Sequence, residues 1–283
     1  MDDKISDEVR KQLEDMKQWA STQPLIPKDI EDRILLRFIH SCYYDLEKAK
    51  VAADLFFSIR SASSELFTNR DPLAPAMQKT LQIVNLAQYV TSKNRNIWIW
   101  QLNDPGLDRY DYVQDAKLFM LASDSWLLSN DFLEEGDLVI LDVKDVSLKF
   151  LTKFNLSVAK KLSKYQQEAI PLRLEQIHIV NAPPFIDKLY SLMKPFLKQE
   201  ITNMVRFHAP DSTTLYDFIS KEELPKDYGG ELDKMEVLMK KSLDLFSKNR
   251  EHFLNDNLWR VDKKSKNKDV STEIGSFRSL AID

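Results

Sequence analysis

The chain has 283 residues, 43% of them hydrophobic, enough for one large domain with a full core plus a smaller appendage. Its formal net charge of −4 argues against general nucleic-acid binding, which needs a positive field. Cys42 is the single cysteine, so no internal disulfide can form, and no apolar run approaches membrane-spanning length. The opening Met1-Asp2-Asp3-Lys4 is unlike a secretory signal or transit peptide, and Asp2 breaks the myristoylation pattern. The expectation is a cytoplasmic protein that touches membranes only from outside, during transient contact.

The first elements are helical. Ser6 or Asp7 can cap a helix whose Val9, Leu13, Met16 and Ala20 share one face. Gln23-Pro24-Leu25-Ile26-Pro27 breaks it. Asp29 precedes a second helix with Ile30, Ile34, Leu35 and Phe38 inward, and a third over 46–60 turns Ala49, Ala53, Phe56 and Phe57 inward. Arg33 and Arg37 share a face that suits a carboxylate, and as exposed pairs they would contribute little. Asp71-Pro72-Leu73-Ala74-Pro75 reads as a linker, which makes 1–75 an all-helical domain.

Strands and helices then alternate. Residues 96–102 form a strand candidate ended by the turn Asn103-Asp104-Pro105-Gly106, and 113–128 a helix bearing Leu118, Phe119, Ala122, Trp126 and Leu127. A second strand covers 138–143, and a helix over 155–169 aligns Leu156, Ala159, Leu162 and Tyr165. The β-branched run Ile177-His178-Ile179-Val180 is a third strand, stopped by Pro183 and Pro184. An apolar helix over 185–197 follows, and Pro195 inside it removes a backbone hydrogen bond, so it should kink or end there. Residues 204–208 supply a fourth strand. Nearly continuous apolar strands alternating with helices indicate β-α-β units and a mainly parallel sheet. The fold class is therefore α/β, with the sheet domain over 76–240 and a C-terminal helix and polar tail over 241–283. The 185–197 helix is open to two readings, a door over a greasy cavity or an ordinary crossover helix.

Catalytic signatures are weak. Gly229 and Gly230 do not sit between a strand and a helix, so there is no dinucleotide fingerprint, and no Gly-x-Ser-x-Gly elbow supports an esterase. The four histidines lack metal-ligand spacing, although His178 and His208 lie on candidate strands that can meet in space. Asp142, at the end of a strand, suits a structural hydrogen-bonded role better than catalysis without a partner. No enzyme, cofactor or metal is expected.

Arg33-Ile34-Leu35-Leu36-Arg37-Phe38-Ile39 and Tyr44-Asp45-Leu46-Glu47-Lys48-Ala49 resemble the N-terminal signature of the CRAL-TRIO lipid-transfer family. Residues 171–181 with Lys194-Pro195-Phe196-Leu197 are similar to its central strand and gate helix, and 224–230 to its closing motif. The tail 275–280 is similar to that of the family's tocopherol- and retinaldehyde-binding branch. The resemblance implies a CRAL-TRIO fold enclosing a hydrophobic cavity and a non-enzymatic carrier of one tocopherol, retinoid or carotenoid-like molecule. Phosphatidylinositol-type phospholipid transfer and a membrane-recruited interaction module are the alternatives. Carried over by position, the lining would comprise Phe119, Ser123, Trp126, Leu127, Ile140, Phe154, Val158, Leu162, Ile179, Phe185, Leu189 and Met193. In the tocopherol branch a basic cleft reads phosphoinositides. Here Arg173 is kept, Glu175, Thr202 and Met204 depart from that cleft, and Lys194, Lys198 and Arg206 lie nearby as substitute contacts.

Overall fold

In the computed structural model, which describes residues 6–129 and 133–261, the first helix starts at its cap. Ser6 accepts the Val9 N–H, and α1 (Asp7–Thr22) buries Leu13, Met16 and Ala20 on one side. Helix α2 (Asp32–Ser41) begins after Ile30, which stands outside it. Asp45 caps α3 (Leu46–Ala62), which buries Ala49, Ala53, Phe56 and Phe57. Two short helices, α4 (Ser64–Phe67) and α5 (Pro75–Leu81), lead into the sheet.

The five strands lie side by side in chain order: β1 (Val84–Val90), β2 (Arg95–Leu102), β3 (Gly136–Asp142), β4 (Leu174–Val180) and β5 (Val205–Phe207). β1 runs antiparallel to β2, and the remaining pairs are parallel. β1 is missing from the sequence reading, because its apolar residues change parity at Ala87 and blur the two-residue period. Parallel neighbours need crossovers. Helix α6 (Tyr112–Ser129) joins β2 to β3, and α7 (Phe150–Lys153) with α8 (Leu156–Glu168) joins β3 to β4. Between β4 and β5 run α9 (Ile186–Met193), a 3-10 turn at Lys194–Phe196, and α10 (Gln199–Met204). The α-helix thus ends two residues before Pro195 and tightens through it. Helices α11 (Met235–Lys248), packed on β1, and α12 (Arg250–Leu254) follow. The basic run 263–268 and the tail 275–280 lie outside the described residues.

Strand alternation divides the sheet into two faces. Ile97, Ile99, Leu138 and Ile140 pack with Leu215, Ile219, Leu224, Met235 and Leu238 in a filled core. Trp98, Trp100, Val139, Leu141, Ile177 and Ile179 point to the opposite side, toward α6, α8 and α9. A register shift between β3 and β4 skips Glu175, which lets Leu174 share the face of Ile177 although its parity differs. The 224–230 motif closes the filled face: Gly229 takes a positive φ of 71°, and a Cβ on Gly230 would collide with the Leu224 carbonyl.

The helical N-terminal unit is fastened to α6 by buried charge. Arg60 and Arg70 both donate to Asp124, and Arg60 also donates to the Tyr165 hydroxyl at 2.6 Å. Arg60 and Asp124 are 0% exposed and Arg70 1%. The Arg60 guanidinium also lies over the rings of Phe56, Phe67 and Trp259. Nearby, Arg37 donates to Glu134 at 2.9 Å and stacks on Trp126, whose indole N–H bonds the same carboxylate at 3.1 Å. The expectation of exposed arginines on α2 is therefore corrected for Arg37, which is 2% exposed. Arg33 remains part-exposed and pairs with Glu31 at 2.7 Å.

Candidate ligand cavity

The sheet face that α11 does not cover borders a cavity of about 380 Å³. The floor is Leu86, Trp98, Trp100, Val139, Leu141, Leu174, Ile177 and Ile179. One wall comes from α6 and the residues before it (Tyr110, Tyr112, Asp115, Ala116 and Phe119). A second comes from the stretch around α7, with Val146, Phe150 and Phe154, and a third from Leu162, Ser163, Gln166 and Gln167 of α8. Helix α9 covers it with Ile186, Leu189, Tyr190 and Met193. Phe150 and Phe154 pack against Tyr112, and Tyr190 stands edge-on to Phe207 at 5.2 Å. The lining is overwhelmingly apolar, as a site for a hydrocarbon-rich molecule requires.

Two sets of polar lining groups are hydrogen-bonded within the protein. Beside the Pro195 turn, Ser163 Oγ and Gln167 Nε2 donate to the Phe196 carbonyl at 2.9 and 2.8 Å, and Gln167 Oε1 accepts the Lys198 N–H at 2.7 Å. These bonds tie α8 to the chain on either side of the Pro195 turn. In the second set, Asp115 accepts from the Trp100 indole N–H at 2.9 Å and the Tyr110 hydroxyl at 2.7 Å. Burial pushes the Asp115 carboxyl up to about 6, aided by Asp111 and opposed by those two hydrogen bonds. Burial first, and the Asp115 charge second, raise the Tyr112 phenol.

Of the expected lining residues, Phe119, Phe154, Leu162, Ile179, Leu189 and Met193 lie on the cavity. The other expected positions lie elsewhere, each for a physical reason. Ile140 is on the filled face, one residue out of phase with Val139 and Leu141. Ser123 is 0% exposed and its hydroxyl bonds the Met120 carbonyl. Trp126 is held against Arg37 and Glu134, and Leu127 is buried beside it in the main core. Val158 packs in that core one turn before the α8 cavity residues, and Phe185 is the N-cap residue of α9, leaving Ile186 to face inward. Trp98, Trp100 and Asp115 are among the lining residues that the sequence reading does not include. The period of two in Trp98 and Trp100 is a usable signal, whereas nothing in the sequence marks Asp115.

Three of the four expected basic contacts are engaged within the protein. Arg173 donates from Nε and Nη2 to the His40 carbonyl at 2.8 and 2.6 Å and stacks on Tyr43. Lys198 pairs with Glu168 at 3.3 Å, and Arg206 bonds the carbonyls of Asn203 and Val205. Lys194 stands in the 3-10 turn after α9. His178 and His208 do meet, Nδ1 to Nε2 at 3.0 Å, but on the side of Phe218 and away from the cavity. Asp142 accepts from Gln101, Tyr228 and Asn181, a structural hub between strands and the closing motif. Among the described residues no helix is long and apolar enough to cross a membrane.

Comparison with known proteins fits this geometry. Residues 82–230 match the CRAL/TRIO domain and residues 5–77 the Pinta-like UBA domain. "Alpha-tocopherol transfer protein-like" of Homo sapiens is 24% identical over 214 residues, which are 76% of this chain and 63% of that protein. The chain thus spans less than two thirds of that relative's length. "Clavesin-2" of Rattus norvegicus is 23% identical over 234 residues, 80% of this chain and 70% of that protein. Among solved structures, Sfh5 superposes with a TM-score of 0.50 at 13% identity, covering 87% of this chain and 98% of its own, a likeness of fold alone.

Proposed function

The chain belongs to the CRAL/TRIO family of lipid-binding and lipid-transfer proteins, and from that premise we propose that it carries one small lipophilic molecule. The cargo is a tocopherol, a retinoid or a similar terpenoid. The observation that carries this reading is the apolar cavity of about 380 Å³ between the sheet and α9. That volume is near the small end of ligand sites, which favours one compact molecule over a phospholipid with two acyl chains and a headgroup. Burying several hundred Å² of terpenoid gives roughly 10 kcal/mol gross at about 25 cal/mol per Å², before the losses of association. Members of the family are generally not enzymes, and we read this chain in the same way.

Helix α9 serves as the gate, and membrane contact triggers its opening, because an apolar gate face turned toward lipid escapes the cost of hydration. Leu148, Leu151 and Leu156 are 43%, 44% and 48% exposed on the stretch that sends Phe150 and Phe154 into the cavity wall, a surface suited to that contact. We attach release to the membrane itself rather than to phosphoinositide recognition, since Arg173 and Lys198 are engaged within the protein. The working location is cytoplasmic, with peripheral membrane contact during transfer.

Native mass spectrometry of protein purified from its own tissue, with organic extraction of what comes off, tests the reading. The expected result is one terpenoid per chain, lost in Leu189→Asp. A two-chain phospholipid would replace the cargo class. Empty protein whose melting temperature is unmoved by added tocopherols, retinoids and carotenoids would overturn the carrier reading, because a ligand of the folded state must raise it.

A further inference from the structure

Resting on the carrier reading, we propose that Asp115 and Tyr112 form a hydroxyl-reading anchor, so that the cavity selects an alcohol or a phenol over the matching ether, ester or hydrocarbon. Asp115 lies on the cavity wall in the first turn of α6. Its two hydrogen bonds come from the neutral donors Trp100 and Tyr110, and no lysine or arginine pairs with it among the described residues. Each carboxylate oxygen has a second lone pair. When cargo displaces water from the cavity, those lone pairs lose their solvent, and a cargo without a donor leaves them unsatisfied.

Tyr112 completes the pair. Its ring stands on the same wall, edge-on to Phe154 at 5.1 Å, and its hydroxyl makes no hydrogen bond among the described residues. A phenol in that position needs an acceptor. A cargo hydroxyl meets both demands, donating to Asp115 while accepting from Tyr112. An ether or a carbonyl accepts from Tyr112 only and leaves the carboxylate bare. A protonated amine satisfies Asp115 but has no lone pair for Tyr112, and a lipid carboxylate is repelled by Asp115. Of the other polar lining groups, Ser163 and Gln167 are occupied with the Phe196 carbonyl.

The test uses the full chain and two matched pairs of probes: α-tocopherol with its methyl ether, and geranylgeraniol with its methyl ether. Dissociation constants are measured at pH 7.5. The expected result, in whichever pair binds, is a hydroxyl form bound about ten-fold or more tighter than its ether, the value of one hydrogen bond to a charged group. Asp115→Leu should remove that preference by weakening the alcohol while binding the ether at least as well, which also shows that the variant is folded. Tyr112→Phe should weaken both members of a pair and leave their ratio nearly unchanged. Equal wild-type affinity for alcohol and ether would overturn the anchor while leaving the carrier reading intact. A preference that survives in Asp115→Leu would overturn the assignment to this residue. Failure of all four probes, with no other terpenoid bound, would overturn both.

Discussion

Helix α6 meets two different neighbourhoods along its length, and each contains an aspartate, Asp115 half-buried on the cavity wall and Asp124 fully buried. Its first turns present Tyr112, Asp115, Ala116 and Phe119 to the cavity, and Asp115 is held by neutral donors alone. Its last turns carry Asp124 between Arg60 and Arg70, with Trp126 and Leu127 in solid contact with the rest of the core. The same helix therefore gives stability at one end and a receptive surface at the other. A carboxylate answered by two guanidinium groups has nothing left to offer a ligand. One answered only by an indole and a phenol keeps spare lone pairs beside the cavity.

The seam end should show the largest response to substitution. Asp124→Ala leaves two fully buried guanidinium groups without a counter-charge, and removing one partner of a buried ionic group costs about 3–5 kcal/mol. Urea unfolding of the full chain measures it, and a cost below about 1 kcal/mol would show that the seam is not where the helical unit is fastened. Neighbouring hydrophobic residues sharpen the contrast. Leu118→Ala, at a 0% exposed position, should cost about 2–5 kcal/mol. Phe119→Ala should fall well below the roughly 3–5 kcal/mol typical of a filled core, because one side of that ring already lacks partner atoms. Cargo affinity should respond in the opposite order, dropping more for Phe119→Ala.

Asp115 also has a pH signature of its own. The Asp115 carboxyl is raised to about 6 in the folded chain, so between pH 4 and 6 the folded state holds a proton that the unfolded chain has released. Its contribution to stability is full below about pH 4 and is lost as pH rises toward 6. Asp137, also raised to about 6 by burial, acts in the same direction. His40 and His178 oppose them, since burial lowers each to about 4 and their contribution is lost as pH falls through that window. The wild-type profile from pH 4 to 6.5 is thus a difference of opposed slopes. Asp115→Asn should be more stable than wild type at pH 7 and should decline more steeply toward acid, by about 1.4 kcal/mol per pH unit within the window. Parallel profiles would mean that Asp115 is as well hydrated as a surface carboxylate.

Local signals explain how much of the fold is legible in the sequence. The Ser6 and Asp45 caps, the helical spacing of Phe56 and Phe57, and the break at Pro195 depend on residues a few positions apart, so one sequence displays them. Facing and pairing are not local. Leu138, Val139, Ile140 and Leu141 are all apolar, so a two-residue period cannot say which pair floors a cavity, and Ile140 was placed on the wrong side. The partners of Asp124 stand 64 and 54 residues away along the chain, and Arg37 finds Glu134 at a separation of 97. Family resemblance led to the correct helices for the cavity wall but slid along α6 toward Ser123 and Trp126, because a wide apolar face does not reveal where packing stops and open space begins.

The smallest effect is expected at the gate, where the contrast between packed and open surface becomes one of motion. Gln167 bridges both sides of the Pro195 turn, donating to the Phe196 carbonyl and accepting from the Lys198 N–H. With Ser163 it anchors the far end of α9 to α8, and the opening proposed for α9 has to break those bonds. Gln167→Ala removes two of them in a part-exposed place where water can substitute, so the equilibrium cost should be only about 1 kcal/mol. That amount falls on the closed state and not on the open one, which shifts the ratio of the two by about five-fold. Transfer of a fluorescent terpenoid alcohol to vesicles should then accelerate by a few-fold, with equilibrium affinity reduced by a similar factor. Unchanged transfer in Gln167→Ala, with cargo still bound, would move the opening step away from the Pro195 turn and toward the α7 side of the cavity.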